Sequence, residues 1–250
     1  MAISLLNKTE YKINDKVTAL IPTLGEYRSD KLRRDYDDLI SLFLSTPSSY
    51  MVELYDMGRD FRQIKEYNFF IELFYGKYKY NVENDKLPDS TILLKGLDLN
   101  TLEIQETENG NLVLVDSKGE VIIDEYAYIQ IGLLLCEILN TKKYKRKPAN
   151  DTAYEYFIEL EKEHRLNAKR RKRQSDNEFD ELIIALVCDE GFPYDFETIN
   201  QLTIYDFYCC VQQVVKRVNY HNLMRGVYSG FGTVDIKKIK KSELNFLSFR

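Results

Sequence analysis

Few side chains in this sequence are equipped for chemistry, and their spacing assigns most of them other work. The two histidines, His164 and His221, stand 57 positions apart by number, and neither has a second histidine nearby in sequence. His164 falls on the same helical face as Leu160, which reads as a buried or boundary histidine. His221, in VNYHNLMRG, is placed at a helix end, where an imidazolium favours the C-terminal carbonyls. The four cysteines are Cys136, Cys188, Cys209 and Cys210. None forms a C-x-x-C pair, and no Cys/His set has zinc spacing. Three of them fall on apolar helix faces, where a free cysteine acts as a small hydrophobe. Asp35, Asp37, Asp38 and Asp56 could be imagined as acid/base or metal carboxylates. Asp35 and Asp38 share a helix face at i, i+3, and they fit better as an acidic turn that complements the helix dipole. The glycines of GVYSGFG, Gly226 to Gly232, do not match G-x-G-x-x-G and read as a turn. There is also no Walker phosphate loop, G-x-S-x-G elbow or H-E-x-x-H helix. The residues therefore predict no catalytic set, no metal site and no cofactor.

One charge feature stands out. Arg165 to Arg173, RLNAKRRKR, follows Glu155, Glu159, Glu161 and Glu163 on one long helix. Acid before base suits the helix macrodipole and allows a Glu161–Arg165 pair. The run can remain a solvated face, dock an acidic protein, or contact phosphates. Aromatic side chains for base stacking are not interleaved with it. Lys169, Arg170, Arg171, Lys172 and Arg173 are the candidate partner-binding residues here, and Phe246 and Leu247 are a second pair at the C-terminal end.

The elements that would carry these residues follow from periodicity. The composition is globular, 44% hydrophobic and 30% charged, with 19 Tyr and 13 Phe that suit both cores and interfaces. A net charge of −5 argues against a general nucleic-acid coat or a membrane-surface binder. Tyr11, Ile13, Val17, Ala19 and Ile21 alternate around a turn at 14–16, which predicts a hairpin. Leu32, Tyr36, Leu39, Ile40 and Phe43 recur at helical spacing up to Pro47. Ser48 or Ser49 then caps a helix with Met51, Leu54 and Tyr55, ended by Gly58. Asp60 caps a segment with Phe61 and Ile64, and Phe69, Phe70, Leu73 and Phe74 continue to Gly76. Residues 76–90 read as a loop.

Ile92–Leu94 is a candidate strand. Three further strands, around Ile104, Leu112–Leu114 and Val121–Ile123, are separated by turn signals at Asn109-Gly110 and Lys118-Gly119, which predicts a meander. Asp124 caps an apolar helix over 125–139 that should be central. The basic segment 140–148 is a linker candidate. Asp151 caps the long helix, with Ala153, Phe157, Leu160 and His164 on one face. A second helix carries Phe179, Leu182, Ile183, Leu186 and Val187. A third starts near Thr203, with Ile204, Phe207, Val211, Val214 and Val218 in a stripe.

The expected fold is α+β and predominantly helical, with a short N-terminal hairpin and a small central antiparallel meander. It divides either into units of 1–90, 91–145 and 146–250 or forms one continuous domain. No signal peptide is recognisable, and the apolar run Ile129–Leu139 is too short to span a bilayer, so a cytoplasmic protein is expected.

Two stretches carry a resemblance. They are Ile21 to Ile64, IPTLGEYRSDKLRRDYDDLISLFLSTPSSYMVELYDMGRDFRQI, and Glu181 to Ser248. Together they resemble tail-region proteins of phages and prophages of low-GC Gram-positive bacteria. The second stretch is similar to tail assembly chaperone-like proteins. The pattern is Leu202–Phe207 as L-T-I-Y-x-F, a basic helix over Val214–Tyr220, a glycine turn at Gly226–Gly230, the segment Asp235–Lys238, and Phe246–Leu247 where Trp is common. The resemblance implies a non-enzymatic role in tail morphogenesis or in the virion, in the host cytoplasm or the particle. It implies other tail or virion proteins, or further copies of the chain, as partners and supplies no catalytic residue. The alternative reading is a nucleic-acid-binding regulator using the basic helix 165–173.

Overall fold

The computed structural model describes residues 5–80, 88–171, 178–229 and 239–240. Their order is β1 (Glu10–Lys12), β2 (Thr18–Leu20), α1 (Leu24–Arg28), α2 (Asp30–Leu44), α3 (Met51–Asp56) and α4 (Glu66–Phe74). Then come β3 (Glu103–Glu106), β4 (Leu112–Val115), β5 (Val121–Ile123), α5 (Glu125–Ile138), α6 (Asp151–Arg171), α7 (Glu178–Val187) and α8 (Ile204–Tyr228). The fold is α+β and mostly helical, with the expected hairpin and meander.

The hairpin turn is made by Asn14, whose Oδ1 accepts the backbone N–H groups of Lys16 and Val17 at 2.9 and 2.7 Å. This Asx arrangement replaces backbone bonds that a turn would otherwise leave open. The meander has the order β3-β4-β5, antiparallel throughout. Gly110 and Gly119 take φ of +75° and +78° at its two turns, a region where a side chain would be strained.

Several local expectations need correction. Thr46, not Ser48 or Ser49, caps the turn at Pro47–Tyr50 that leads into α3, in a reciprocal box with Ser49. Helical backbone continues past Gly76 as a π-type segment, Tyr75–Tyr80, because Tyr78 buries itself against Phe74. Ile92–Leu94 does not form the candidate strand as a whole: Leu94 makes an isolated bridge to Ala19. A short 3-10 turn at Ser90–Ile92 precedes residues that bond along β2, through Leu20 N–H to Leu93 O and Lys95 N–H to Thr18 O. Asn150, not Asp151, caps α6, its Oδ1 accepting from Ala153 N–H at 2.8 Å. The buried side chains of α6 are Tyr154 and Ile158, one position round from the predicted face, and they pack with Phe61 and α3. His164 is therefore exposed.

Three apolar clusters hold the described residues together. The largest joins Leu39, Phe43, Phe70 and Phe74 to Leu114, Ile123, Tyr128 and Ile131. Phe70 and Tyr128 lie with ring centroids 4.7 Å apart. Each such fully buried ring contributes roughly 1.5–3 kcal/mol through area removed from water. The second cluster mixes Leu5, Ala19, Ile21 and Leu24 with Leu134, Ile183, Leu186, Ile204 and Phe207. The third packs α3 against α6. α5 feeds the first cluster through Tyr128 and Ile131 and the second through Leu134 and Ile138, which makes it central as its composition predicts.

The N-terminal residues are clamped to the start of α8. Leu24 N–H donates to Leu202 O at 2.7 Å, and Ile204 N–H to Pro22 O at 2.9 Å. The carboxylate of Asp206, a buried residue, accepts from Asn7 N–H at 3.3 Å and from the Thr203 hydroxyl at 2.8 Å.

Candidate interaction surfaces

The basic run is divided. Arg165 is committed to the body: its guanidinium bonds Glu53 at 2.5 Å, Ser49 O at 3.0 Å and Glu161 at 3.1 Å. The predicted Glu161–Arg165 pair therefore forms, and it belongs to a brace between α6 and α3. Lys169, Arg170 and Arg171 continue the α6 helix, and only their backbone is described. Lys172, Arg173, Phe246 and Leu247 lie outside the described residues, as do Gly230 and Gly232.

Three of the carboxylates singled out above, Asp37, Asp38 and Asp56, have separate partners. Asp38 pairs with Lys77 at 3.0 Å, and Asp56 with Lys162 at 2.9 Å. Asp37 accepts from the Tyr27 hydroxyl at 3.4 Å. Among the described residues no group of three or more His, Cys, Asp or Glu side chains could hold a metal ion. His221 lies inside α8, several residues before its end, beside the Tyr220 ring. None of the four cysteines is fully buried: Cys188 is exposed and the others are half-buried. Among the described residues no helix is long and apolar enough to cross a membrane.

Among the described residues, two helices carry stretches of exposed apolar side chains that bear on binding. The first is a groove on α5. Tyr126, Ile129 and Leu133 are 64%, 44% and 56% exposed, and their spacing puts them along one stripe of the helix. The segment 140–148 is not a free linker, because it returns along this stripe as a strap. The Thr46 hydroxyl donates to Tyr144 O at 2.5 Å, and Arg146 N–H donates to Ser48 Oγ at 3.1 Å. Lys143 lies over the Tyr128 ring, its Nζ 4.2 Å from the centroid and 2.8 Å from the hydroxyl. Burial lowers the Lys143 ammonium from its usual range, and the carboxylate of Glu66, 3.8 Å away, opposes that shift.

Lys145 pairs with Glu66 at 2.5 Å. The hollow between the α5 stripe, the start of α4 and the strap has a volume of about 680 Å³. A second hollow of about 640 Å³ adjoins it towards the meander turn at Asn109–Asn111, sharing Lys65, Tyr67 and Glu125 as lining. Cys136 lines the first hollow, and burial raises its thiol above the ordinary range.

Sequence reading missed this groove, although two signals pointed to it. An apolar helix with so little polar face cannot hide every apolar side chain in a small fold, and a lysine-rich segment follows it directly.

The second surface is the distal part of α8. Thr203 caps the helix, accepting from Asp206 N–H at 3.1 Å, and its first turn is buried. After Phe207 no α8 side chain is buried. Val215, Val218 and Tyr228 are 52%, 45% and 80% exposed. Arg217 pairs with Asp189, just beyond α7. The expected basic helix 214–220 and Ile204–Phe207 of the L-T-I-Y-D-F segment thus belong to one continuous helix, which runs through Gly226 rather than turning there.

No curated protein and no solved structure matches this chain. Residues 169–247 match the family model described as the YomV second domain. YomV is a Bacillus phage-region protein family, and the match contains nearly all of Glu181–Ser248, the second of the two stretches that carry the resemblance. The similarity to a phage-region domain is carried by a segment that begins inside α6 and takes in α7 and α8, less than half of the chain.

Proposed function

We propose that this chain is a phage or prophage tail-region protein that works by protein–protein contact, as an assembly factor or as a tail or baseplate component, without catalysis. The observation that carries this reading is the distal part of α8. It lies within the segment similar to a phage-region domain and leaves Val215, Val218 and Tyr228 in solvent. Helices that keep apolar side chains exposed over several turns are ordinary sites of partner docking. The resemblance at both ends of the chain supports the tail as the setting, and the partners are other tail or virion proteins or further copies of the chain.

The test is co-purification of the chain with co-expressed tail tube, tape-measure and baseplate proteins, with native mass measurement. Val215→Asp with Val218→Asp is the control. The expected result is a complex that the double variant loses while its thermal unfolding midpoint stays unchanged. A strict monomer that binds none of these proteins overturns the reading. DNA retention at low salt that disappears on neutralising Lys169, Arg170, Arg171, Lys172 and Arg173 would assign the chain to nucleic acid instead.

A further inference from the structure

The α5 groove has a built chemistry of its own, distinct from α8. Its floor beside the strap is Ile129 and Leu133, ending at Cys136, and Tyr126 carries the same stripe into the adjoining hollow. These four positions span about 15 Å of helix, close to three turns. The walls are unequal in charge. On the strap side stand Lys142, Lys143 and Lys145, and Lys65 stands at the head of α4. Glu66 is already paired with Lys145 and near Lys143, whereas Lys142 and Lys65 have no ion pair among the described residues. Glu125 sits at the opposite end, in the first turn of α5. In a chain of net charge −5, this is an apolar trough with a cationic strap at one end.

A small ligand would leave much of two adjoining hollows unfilled. A helix laid along α5 covers the stripe over its whole length, as in helix-in-groove recognition. We infer that the groove between α5 and the strap 140–148 receives an amphipathic helix of a partner protein, with apolar residues at i, i+3, i+4 and i+7 and acidic residues at the end that meets Lys142. The inference rests on the reading of the chain as a protein-contact component and adds the chemistry of one partner segment. Acidic residues at that end meet the strap lysines, and a basic end would face them at like charge, which costs affinity and rate of encounter.

The experiment uses the full chain and two sets of synthetic fourteen-residue peptides. Both sets carry the apolar pattern, one with Glu at the terminal turn and the other with Lys there. Binding is read by fluorescence anisotropy and located by photo-crosslinking. The expected result is that acidic peptides bind at least about tenfold tighter than basic ones, the scale of a single close interfacial charge pair. Crosslinks should fall on α5 and the strap. Leu133→Glu, at an exposed position, abolishes binding, and Lys142→Glu inverts the preference between the sets. The inversion is a readout that simple unfolding cannot produce. Equal binding of both sets, no binding by any acidic peptide, or binding that survives Leu133→Glu overturns the inference. Because no phage protein enters this assay, its outcome is separate from that of the tail co-purification.

Discussion

Lys143 crosses α5 over Gly132: a Cβ built on that glycine would stand 2.9 Å from Lys143 Cε and 3.0 Å from its Nζ. The glycine is what lets the strap lysine lie down on the Tyr128 ring. Two effects compete when Gly132 becomes Ala. The helix interior gains up to about 1 kcal/mol of propensity, and the flexible lysine end is pushed away from the ring, losing about 0.5–2 kcal/mol of cation–π contact. Gly132→Ala should therefore change stability by less than about 1 kcal/mol. It should also return the Lys143 ammonium upward towards its ordinary pKa, because the group regains water. NMR titration of the lysine side chain measures the second effect, and chemical denaturation the first. An unmoved Lys143 signal would show that the strap does not depend on this glycine.

Alkaline pH should unfold the chain through its tyrosines. Burial is the leading cause that pushes the hydroxyls of Tyr67, Tyr78 and Tyr128 far above the usual range, and it pushes Tyr36 up to about 12. A group whose pKa is raised by folding stabilises the fold below its unfolded pKa, near 10, and that contribution is lost as pH climbs towards the folded value. Each of these tyrosines removes up to about 1.4 kcal/mol per pH unit above pH 10. Lys143 acts oppositely but weakly: its lowered pKa adds stability as pH rises to the ordinary lysine value. The expected outcome is a falling unfolding midpoint above pH 10, with the exposed tyrosines ionising first and the last of the tyrosinate absorbance appearing together with loss of helix. Full tyrosine ionisation in a still-folded protein would contradict it.

The Thr203–Asp206 pair should matter more than an ordinary cap. Thr203→Ala removes a helix N-cap, a change that costs about 0.5–2 kcal/mol. Asp206→Ala removes the acceptor of both the Thr203 hydroxyl and Asn7 N–H, and leaves a buried donor without its partner, which costs about 1–3 kcal/mol. The double variant should cost less than the sum of the singles, since the two groups share one bond. Strict additivity in a denaturation cycle would show that the pair is not a unit.

Arg165→Ala should loosen α6 from α3 by about 1–2 kcal/mol, mainly through the lost charge-assisted bonds to Glu53 and Ser49 O at a partly exposed site. Hydrogen exchange should rise in α6 and α3 and stay unchanged in α7. Faster exchange in α7 as well would mean that the brace supports more of the fold than its contacts indicate.

Local grammar made much of this fold legible. Asp124 caps α5 as its position before an apolar run requires, with its Oδ1 2.7 Å from Ala127 N, and Asn109-Gly110 turns the meander. Thr203 opens α8 in the same way. The misplacements came from competition between near-equivalent neighbours. Asn150 and Asp151 can both cap, and Tyr154/Ile158 and Ala153/Phe157 differ by one step around a helix. Only the tertiary position of Phe61 decides that second case. The surfaces were harder. Lys143 reads as linker because nothing local reveals that Gly132 leaves room for it. Arg165 reads as part of a basic patch because Glu53, more than a hundred residues earlier, is invisible in the local sequence.

The clamp between Pro22–Leu24 and Leu202–Ile204 also sets an order of events during synthesis. Leu5, Ile21 and Leu24 leave the ribosome well before much of the cluster that covers them, from Ile183 to Phe207, has been made. Contacts so distant in sequence cannot form until both ends exist, and they close slowly because a long loop must be ordered first. Until then the first residues carry bare apolar surface that the growing polypeptide must keep from neighbours. The second cluster is therefore completed only when α8 arrives, long after Leu5, Ile21 and Leu24.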